Sequence, residues 1–411
     1  MLTGMRVLDL ADEKGFVCGK ILADLGAEVI KVEKPGGDSS RMIPPFYKEE
    51  PHPEMSFYWW AYNLNKKGVT LNIKDREGQE LLRQLVKTAD AIVETFPPGF
   101  LDKYKLGYSS LQRTNPRIIM LSITPFGQTG PYKDYKTSDL VAMALSGYMS
   151  ATGDPDRAPV RPSFPQAYLR SGSEAAVAIL IACYYREETG EGQYIDLSVH
   201  DSISTISANI GPTWELNKRY LKRAGQLRTG LTTIARARQT WECKDGYVCF
   251  YIGTGRQHAA AQRSLIGWME EEGMADDWLR KIDWDSFDMA LASQDFFDEL
   301  EPRIISWLKT HTKSELYEGG LRRGIPIYPV YSVDEIIKDS QLQARKFWME
   351  IEHARLDTKI IYPGPFFDSS IAPYQVKQIA PGVGEHNEEI YLKEMGLSQE
   401  EFNLYRQKGV I

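Results

Sequence analysis

The first thirty-three residues contain the apolar patterns of a strand, a helix and a second strand in succession. Residues 6–11 form a short apolar run, residues 16–25 carry apolar side chains at helical spacing, and residues 28–33 form a second apolar run. Gly26 follows the helical stretch as a stop signal. Because a single helix connects the two strands, we expect them to lie parallel and side by side.

The same alternation continues along the chain. Further predicted elements are strands at residues 68–73, 91–94, 117–123 and 193–199, helices at 77–88 and 171–188, a second set with strands at 239–242 and 247–251 followed by helices to residue 319, and closing helices at 333–339 and 399–407. The pattern predicts an α/β fold class, with a Rossmann-like large domain and a smaller α+β domain.

The charge balance and the cysteines exclude several classes of protein. The 411 residues include 49 Lys and Arg against 56 Asp and Glu, which gives a net charge of −7. That balance provides no net basic field, so neither a nucleic acid nor a membrane is expected as a partner. The four cysteines are scattered without a CxxC pair, which disfavours a disulfide framework or a structural zinc site. Without a secretory signal or a long apolar stretch, the expected compartment is the cytoplasm.

The first turn between strand and helix does not have the sequence of a common nucleotide loop. It reads Asp12-Glu13-Lys14-Gly15, which is not GxGxxG, and no GxxxxGK[ST] loop occurs elsewhere in the chain. Binding of NAD by the usual glycine turn is therefore disfavoured. A nucleotide remains possible, because ligands of such sheets lie beyond the carboxyl ends of the parallel strands.

Short motifs spread along nearly the whole chain match one known pattern in the right order. They lie at residues 6–9, 22–33, 36–38, 65–67, 93–99, 129–131, 189–193, 243–246, 324–326 and 384–386. Together they resemble the class III coenzyme A (CoA) transferases, the CaiB/BaiF family of formyl-CoA, carnitine-CoA and benzylsuccinate CoA-transferases and of α-methylacyl-CoA racemase.

The resemblance implies a domain order and an assembly. In this family two chains are threaded through one another as interlocked rings, and the large domain is built from both ends of the chain. We therefore expect residues 1–210 to form the first part of the large domain, 211–238 a linker and 239–324 the small domain. Residues 325–411 are then a linker and the segment that returns to the large domain.

The resemblance also implies a reaction. Family members move CoA from an acyl-CoA donor to a free carboxylic acid. An active-site aspartate attacks the thioester, giving an acyl anhydride and CoA thiolate, and the thiolate returns to form an aspartyl-CoA thioester. The acceptor acid then repeats the exchange in reverse. No cofactor is expected to be bound permanently, no metal is required, and CoA thioesters are the substrates.

Seven positions match those that approach the ADP part of CoA in the family. They are Lys34, Leu71, Lys74, Thr95, Phe96, Lys103 and Lys136. Lysine suits phosphate as a point charge, and an aromatic ring such as that of Phe96 can lie against adenine. The family usually carries arginine at the position of Lys34, so a bidentate fork is replaced here by a single ammonium.

The position of the family's nucleophile is occupied by a tyrosine. The catalytic aspartate lies four residues before a helical glycine and twenty-one before the threonine of the TGxGQ turn, and counting back from Gly172 or Thr189 leads to Tyr168. A phenol with an ordinary pKa of about 10 is protonated at neutral pH and is a poor substitute. Glu174 is the nearest carboxylate that follows, but its place on the helix gives it a different direction. No catalytic residue is therefore expected in this chain.

Two further features bear on function. Residues 232–238 contain no glycine where catalytic subunits often carry a glycine-rich lid, so a closing loop of that design is not expected. His200 and Asp201 form an apparent acid–base pair, which we interpret as structural. The aromatic cluster of Tyr58, Trp59, Trp60 and Tyr62 fits either an aromatic substrate or, more simply, the core or a subunit interface.

Two classes of function remain open on the sequence. In the first, the chain is the non-catalytic subunit of a heteromeric CoA-transferase such as succinyl-CoA:benzylsuccinate CoA-transferase of anaerobic toluene degradation, and a paralogous partner supplies the aspartate. In the second, it is a homodimeric CoA-binding protein, or a CoA-ester racemase or transferase that uses another carboxylate. In both, acyl-CoA and a carboxylic acid are the small-molecule partners.

Overall fold

The computed structural model describes residues 1–207, 210–218, 222–228, 235–371 and 374–411. The chain divides into two compact units. The first consists of Met1–Tyr148, Pro162–Ser207 and Gln343–Ile411, and the second of Met149–Arg161 and Ala208–Leu342.

A six-stranded parallel sheet forms the centre of the first unit. Its strands are β1 (Arg6–Leu10), β2 (Glu28–Glu33), β3 (Lys66–Thr70), β4 (Ala91–Glu94), β5 (Ile119–Thr124) and β6 (Tyr194–Ser198). Their order across the sheet is β3-β2-β1-β4-β5-β6, and every neighbouring pair is parallel. Strands β4 and β5 are buried along their whole length, as expected for strands covered on both faces. The predicted α/β fold class is confirmed.

Helices cover both faces of this sheet. They are α1 (Phe16–Asp24), α2 (Phe57–Asn63), α3 (Arg76–Val86), α4 (Tyr108–Leu111), α5 (Asp139–Leu145), α6 (Gln166–Thr189) and α7 (Val199–Ser204). Helix α3 buries one apolar stripe that includes Leu81, Leu82 and Leu85, in the same core cluster as Leu8 and Ile30 of the sheet. This is the packing that an amphipathic crossover helix requires.

Helix α6 begins five residues before the predicted start at residue 171. The Asp139 carboxylate accepts hydrogen bonds from the backbone N–H groups of Ala167 and Tyr168, at 2.9 and 3.2 Å. It thereby satisfies donors that a helix start otherwise leaves unpaired. The cap comes from a helix 28 residues upstream, so local spacing could not indicate it. As a result, Tyr168 lies inside the first turn of α6.

The second unit has an α+β core of its own. Its elements in chain order are α8 (Ile210–Asn217), β7 (Leu227–Arg228), β8 (Ala237–Arg238), β9 (Thr240–Cys243), β10 (Gly246–Cys249), α9 (Arg256–Glu271), α10 (Asp277–Arg280), α11 (Gln294–Leu308), α12 (Lys313–Arg323), β11 (Tyr328–Pro329) and α13 (Val333–Ile336), with α14 (Ser340–Ala344) at the return to the first unit. Strands β9, β10 and β11 form an antiparallel sheet. Its core contains Trp241, Trp268 and Trp307.

The boundaries of the second unit differ from the predicted ones. Residues 149–161 belong to it, because the backbone of Gly153 accepts a hydrogen bond from Gly225 and that of Asp154 accepts one from Arg223. The predicted linker at 211–238 includes α8, β7 and β8 in its described part, and the unit continues to Leu342 instead of ending at residue 324. Such long-range contacts leave no local sequence signal.

The C-terminal segment packs on the first unit. It contains the hairpin β12 (Trp348–His353) and β13 (Thr358–Pro363), a π-helical turn (Glu388–Glu394) and helix α15 (Gln399–Gln407). The Tyr391 hydroxyl donates to the carbonyl of Thr70 at 2.9 Å, and the backbone N–H of Asn72 donates to that of Val410 at 2.7 Å. These two hydrogen bonds hold the C-terminal segment against the residues at the end of β3.

Across the ranges that the structure describes, no helix is both long and apolar enough to cross a membrane.

Candidate functional site

A cleft of about 790 Å³ opens at the carboxyl ends of the parallel strands in the first unit. Leu10, Val32 and Thr95 mark the ends of β1, β2 and β4 on its wall. Glu33 ends β2, and the remaining lining comes from the segments that follow β1 to β5: Asp12, Lys14, Lys34, Asp38, Ser39, Leu71, Asn72, Ile73, Lys74, Phe96, Pro97, Pro98, Phe100, Pro125, Lys133, Asp134, Tyr135, Lys136 and Thr137. This edge is where sheets of this topology bind their ligands.

The cleft brings together six of the seven positions that the sequence predicted for CoA. Lys34, Leu71, Lys74, Thr95, Phe96 and Lys136 all line it. Lys103 does not: it lies on the 3₁₀ turn Asp102–Tyr104, is exposed, and is absent from the lining. The structure thus gathers residues from the segments after four strands, β2 to β5, at one place and leaves Lys103 outside it.

Four of the lysines at the cleft are exposed and available to an anion. In the described part of the chain, no ion pair joins Lys34, Lys74, Lys133 or Lys136 to a carboxylate. By contrast, the buried Glu33 beside them is held by Arg41, whose Nε and Nη2 lie 2.6 and 2.7 Å from its two oxygens. The acid therefore does not neutralise the lysines, and the lining can offer several cations to phosphate.

The three uncharged predicted positions at the cleft, Leu71, Phe96 and Thr95, are in contact with neighbouring residues of the fold. Leu71 is buried, and the Phe96 ring stacks on that of Phe100 with centroids 4.7 Å apart. The Thr95 hydroxyl donates to the Asp12 carboxylate at 2.8 Å and accepts from its backbone N–H at 2.9 Å. Thr95 therefore fixes the first turn after β1 onto the end of β4.

Lys14 projects from that turn into the cleft lining. Its ammonium forms an ion pair with Asp12, two residues earlier in the same turn. The charge of Lys14 is therefore balanced locally, unlike that of the four exposed lysines. Lys133 and Tyr135, which sequence reasoning missed, lie with Lys136 on the loop after β5. The signal for them was the run of basic and aromatic residues at 132–136.

Tyr168 lies buried at the start of α6, with 7% of its surface exposed. Burial raises the pKa of its phenol, and the carboxylates of Glu13, Asp12 and Asp139 raise it further. The hydroxyl is therefore protonated at neutral pH. Sequence reasoning missed this group of carboxylates, because they come from the first turn and from α5 and are far from Tyr168 along the chain.

Gly172 allows α6 to approach α1 closely. A Cβ atom at this position would lie 2.7 Å from the Cβ of Val17 and 3.3 Å from the backbone N of Cys18. Any larger residue would push the two helices apart, and a closely packed core responds to such changes. The glycine thus fixes α6, and with it Tyr168, against the helix that follows the first turn.

The two alternative acid groups named from the sequence have structural partners. Glu174 is paired with Arg170 at 2.7 Å and accepts a hydrogen bond from the Ser202 hydroxyl. His200 Nδ1 lies 3.7 Å from the carboxylate of Asp201, whose side chain is 81% exposed. Neither group lines the cleft.

The aromatic cluster of α2 lies mainly in the core. Trp59 and Trp60 are buried, with 1% and 6% of their surface exposed. Trp59 donates from Nε1 to the carbonyl of Pro381 at 3.1 Å, and the guanidinium of Arg41 lies 3.7 Å from its ring centroid. These contacts favour the structural reading of the cluster over an aromatic substrate site.

Glu94 at the end of β4 has a raised pKa, which predicts that the stability of the fold depends on pH. Burial raises its pKa from 4.5 to about 7. Between pH 4.5 and pH 7 the folded chain keeps the Glu94 proton, whereas the unfolded chain has lost it. The free energy of unfolding therefore falls as the pH rises, by about 3 kcal/mol across the whole range. We expect Glu94→Gln to unfold at a higher urea concentration than the parent chain at pH 8. The difference should shrink toward pH 5, and a difference independent of pH would contradict the assignment.

A model of CoA-transferase family III matches residues 2–387. The chain belongs to this family. It is 32% identical to the succinyl-CoA:(R)-benzylsuccinate CoA-transferase subunit BbsE of Thauera aromatica over 389 residues, which cover 94% of this chain and 93% of that protein. It is 29% identical to the succinyl-CoA–L-malate CoA-transferase beta subunit of Chloroflexus aurantiacus, over all of this chain and 98% of the relative.

Solved structures agree with this assignment. A CAIB/BAIF family protein from Brucella suis has a TM-score of 0.82 and 30% sequence identity, covering 95% of this chain and 98% of its own. The fold and the resemblance recognised from the motifs are therefore confirmed at the level of the family. Members of family III act on CoA thioesters and need no permanently bound cofactor.

Proposed function

We propose that this chain is a CoA-binding, non-catalytic subunit of a heteromeric family III CoA-transferase. The enzyme moves CoA from an acyl-CoA donor such as succinyl-CoA to a carboxylic acid such as benzylsuccinate. The observation that carries the proposal is Tyr168. A buried phenol, kept protonated by burial and by nearby carboxylates, occupies the position that the family motifs in the sequence assign to the carboxylate nucleophile.

The reaction requires an acyl acceptor that this chain does not supply in the proposal. A carboxylate attacks the thioester carbonyl, a C–O bond forms, the C–S bond breaks and CoA leaves as a thiolate. In the proposed heteromer the carboxylate belongs to a paralogous subunit, interlocked with this chain in the arrangement of the family. Similarity to BbsE and to the malate CoA-transferase beta subunit, both named as subunits, supports a heteromer.

The cleft with its exposed lysines supports retained CoA binding by this chain. In the proposal the exposed Lys34, Lys133 and Lys136, which line a cleft of about 790 Å³, donate to the phosphates of CoA, and Phe96 of the same lining contacts its base. Each lysine that donates to a phosphate contributes one charged hydrogen bond, worth about 1.5–3 kcal/mol, which alone gives only weak binding. Affinity in the proposal is therefore collective.

Activity of the separate and combined subunits tests the proposal. The proposal expects the partner to be a paralogue encoded by a neighbouring gene, with aspartate at the position of Tyr168. We expect succinyl-CoA:benzylsuccinate transfer from the pair and none from this chain alone. Replacing the partner's aspartate with asparagine should lower kcat by at least about 10⁴-fold. Tyr168→Phe in this chain should leave kcat within twofold, because the phenol takes no part.

One observation supports a second candidate, a transferase that uses another carboxylate. Asp12, Glu13 and Asp139 are close enough to Tyr168 to raise its pKa. Asp12 is paired with Lys14, and Asp139 caps α6. Glu13, which accepts a hydrogen bond from the Ser40 hydroxyl at 2.6 Å, is the one of the three not held by a cation or a helix start in these contacts.

A covalent adduct separates the two candidates. The chain alone is incubated with succinyl-CoA, quenched and digested, and the peptide that contains residues 12–15 is examined by mass spectrometry. The non-catalytic role predicts no acyl or CoA adduct on any peptide of this chain. An adduct on Glu13 that is absent from Glu13→Gln would establish the second candidate and overturn the first.

A further inference from the structure

A second cavity, of about 320 Å³, lies in the first unit beside the cleft. Pro97 and Phe100 line both spaces, so they form the wall between them. The volume is at the lower end of the range for small-molecule sites. Neither the seven predicted CoA positions nor Tyr168 lines this cavity.

The floor of the cavity is one face of the sheet where it approaches its β6 edge. Glu94 of β4 pairs in register with Ser122 of β5. Met120 of β5 pairs with Tyr194 of β6. Because alternate residues of a strand share a face, the side chains of Glu94 and Ser122 lie next to each other on the same side as that of Tyr194. All four residues line the cavity.

Ser122 provides an independent sign of a ligand. The residue is 1% exposed, and its hydroxyl makes no hydrogen bond of good geometry within the described ranges. The hydroxyl is near enough to the Glu94 carboxyl and the Tyr194 phenol to lower the pKa of both groups. Neither contact has the geometry of a full hydrogen bond. Buried hydroxyls are normally paired, so a polar group entering the cavity would find a partner here.

The walls favour a cation over an anion. Among the residues that the structure describes, the lining contains the carboxyls of Glu94 and Asp102 and no lysine, arginine or histidine. The rings of Tyr108 and Tyr194 lie 5.8 Å apart, and Phe100 closes the side toward the cleft. Carboxylates next to aromatic rings stabilise a positively charged group with an apolar stem.

We propose that this cavity binds a small primary alkylammonium compound. The ammonium donates hydrogen bonds to the Glu94 carboxylate and the Ser122 hydroxyl, and the alkyl chain lies against the rings of Phe100, Tyr108 and Tyr194. A carboxylic acid or a phosphate would face two like charges without a cation to offset them. The site is independent of the transferase assignment, because none of its polar groups is part of the CoA cleft.

Binding should depend on pH through Glu94. Its pKa is raised to about 7 by burial, and the groups that face it are the carboxyls of Asp12 and Asp102, the Ser122 hydroxyl, the Tyr194 phenol and the backbone N–H of Phe96, which donates to its carboxyl at 2.6 Å and opposes the shift. No cation among them would offset its charge. Since the ligand binds the ionised form, affinity should rise about tenfold between pH 6 and pH 8, with the ionised fraction.

Calorimetry on the full chain in an amine-free buffer tests the site. The probes are n-butylammonium and its uncharged analogue n-butanol. We expect n-butylammonium to bind at least tenfold more tightly than n-butanol. Glu94→Gln should weaken n-butylammonium binding at least tenfold and abolish its pH dependence. The control is Glu80→Gln on α3, whose carboxylate is 60% exposed and lies outside the cavity; it should bind like the parent chain.

A second variant serves if Glu94→Gln does not fold. Ser122→Ala removes only the unpaired hydroxyl and should weaken n-butylammonium binding about threefold. Equal affinity for the two probes would overturn the proposal, as would retained affinity in Glu94→Gln or in Ser122→Ala. An affinity that is constant between pH 6 and pH 8 would also overturn it.

Discussion

Replacing Asp9 with asparagine should lower the free energy of unfolding of the first unit by about 3–5 kcal/mol. Asp9 is fully buried on β1, and so are the two lysines that surround it. The Lys66 ammonium lies 2.8 Å from one carboxylate oxygen, and the Lys31 ammonium lies 3.9 Å from the other. The substitution keeps the shape of the side chain but leaves two buried cations without an anion.

The surroundings of these lysines cannot replace the lost charge. Burial lowers the pKa of Lys66, and Asp9 opposes that shift. The remaining partners of Lys66 are the Phe16 carbonyl and the Asn63 side-chain oxygen, both at 3.0 Å, while Lys31 donates to the Ala11 carbonyl at 2.5 Å. These are neutral acceptors, so at least one lysine would have to lose its proton or the structure would have to open.

Hydrogen exchange of the β1 peptide in urea is the appropriate measurement, because a chain with two units need not unfold in one step. Asp201→Asn, at a carboxylate that is 81% exposed, is the matched control and should change stability by less than about 0.5 kcal/mol. A loss below about 1 kcal/mol in Asp9→Asn would mean that the buried cations are neutral or solvated, contrary to the packing described.

The elements that sequence analysis located well are those with a strong local pattern. Strands β2 and β4 and helix α15 have the predicted bounds, because their apolar spacing and flanking residues are complete within each segment. The start of α6 and the inclusion of residues 149–161 in the second unit were missed. Both depend on hydrogen bonds between residues far apart in the chain, made by Asp139 in the first case and by Gly153 in the second.

The same distinction applies to the site. The resemblance to the family supplied the CoA positions, and those directly after a strand, such as Lys34 and Phe96, line the cleft because the carboxyl ends of parallel strands meet at one edge. Lys103 is on a short turn whose direction no periodicity defines, and it lies outside the cleft. The carboxylates around Tyr168 could not be predicted, because they come from segments that only the folded chain brings together.

A double charge reversal in the cleft should weaken CoA binding at least 100-fold. In the proposed site, Lys34 and Lys136 each supply a charged hydrogen bond to phosphate, worth about 1.5–3 kcal/mol, and glutamate adds repulsion. About 1.4 kcal/mol corresponds to a tenfold change in affinity. We therefore expect about tenfold weaker binding for Lys34→Glu and for Lys136→Glu alone, and at least 100-fold for the pair. Calorimetry with free CoA on the isolated chain measures each variant.

Lys103→Glu is the control that distinguishes a loss of local contacts with CoA from an effect of the net charge of the chain. It alters the charge of the chain by the same amount as either of the other single substitutions, but its residue lies outside the cleft. If local contacts hold CoA, Lys103→Glu should stay within twofold of the parent chain. A loss equal to that of Lys34→Glu would mean that either the overall field or a phosphate at Lys103 governs binding. Unchanged affinity in the double variant would remove the cleft as the CoA site, since two of its four exposed lysines would then be dispensable.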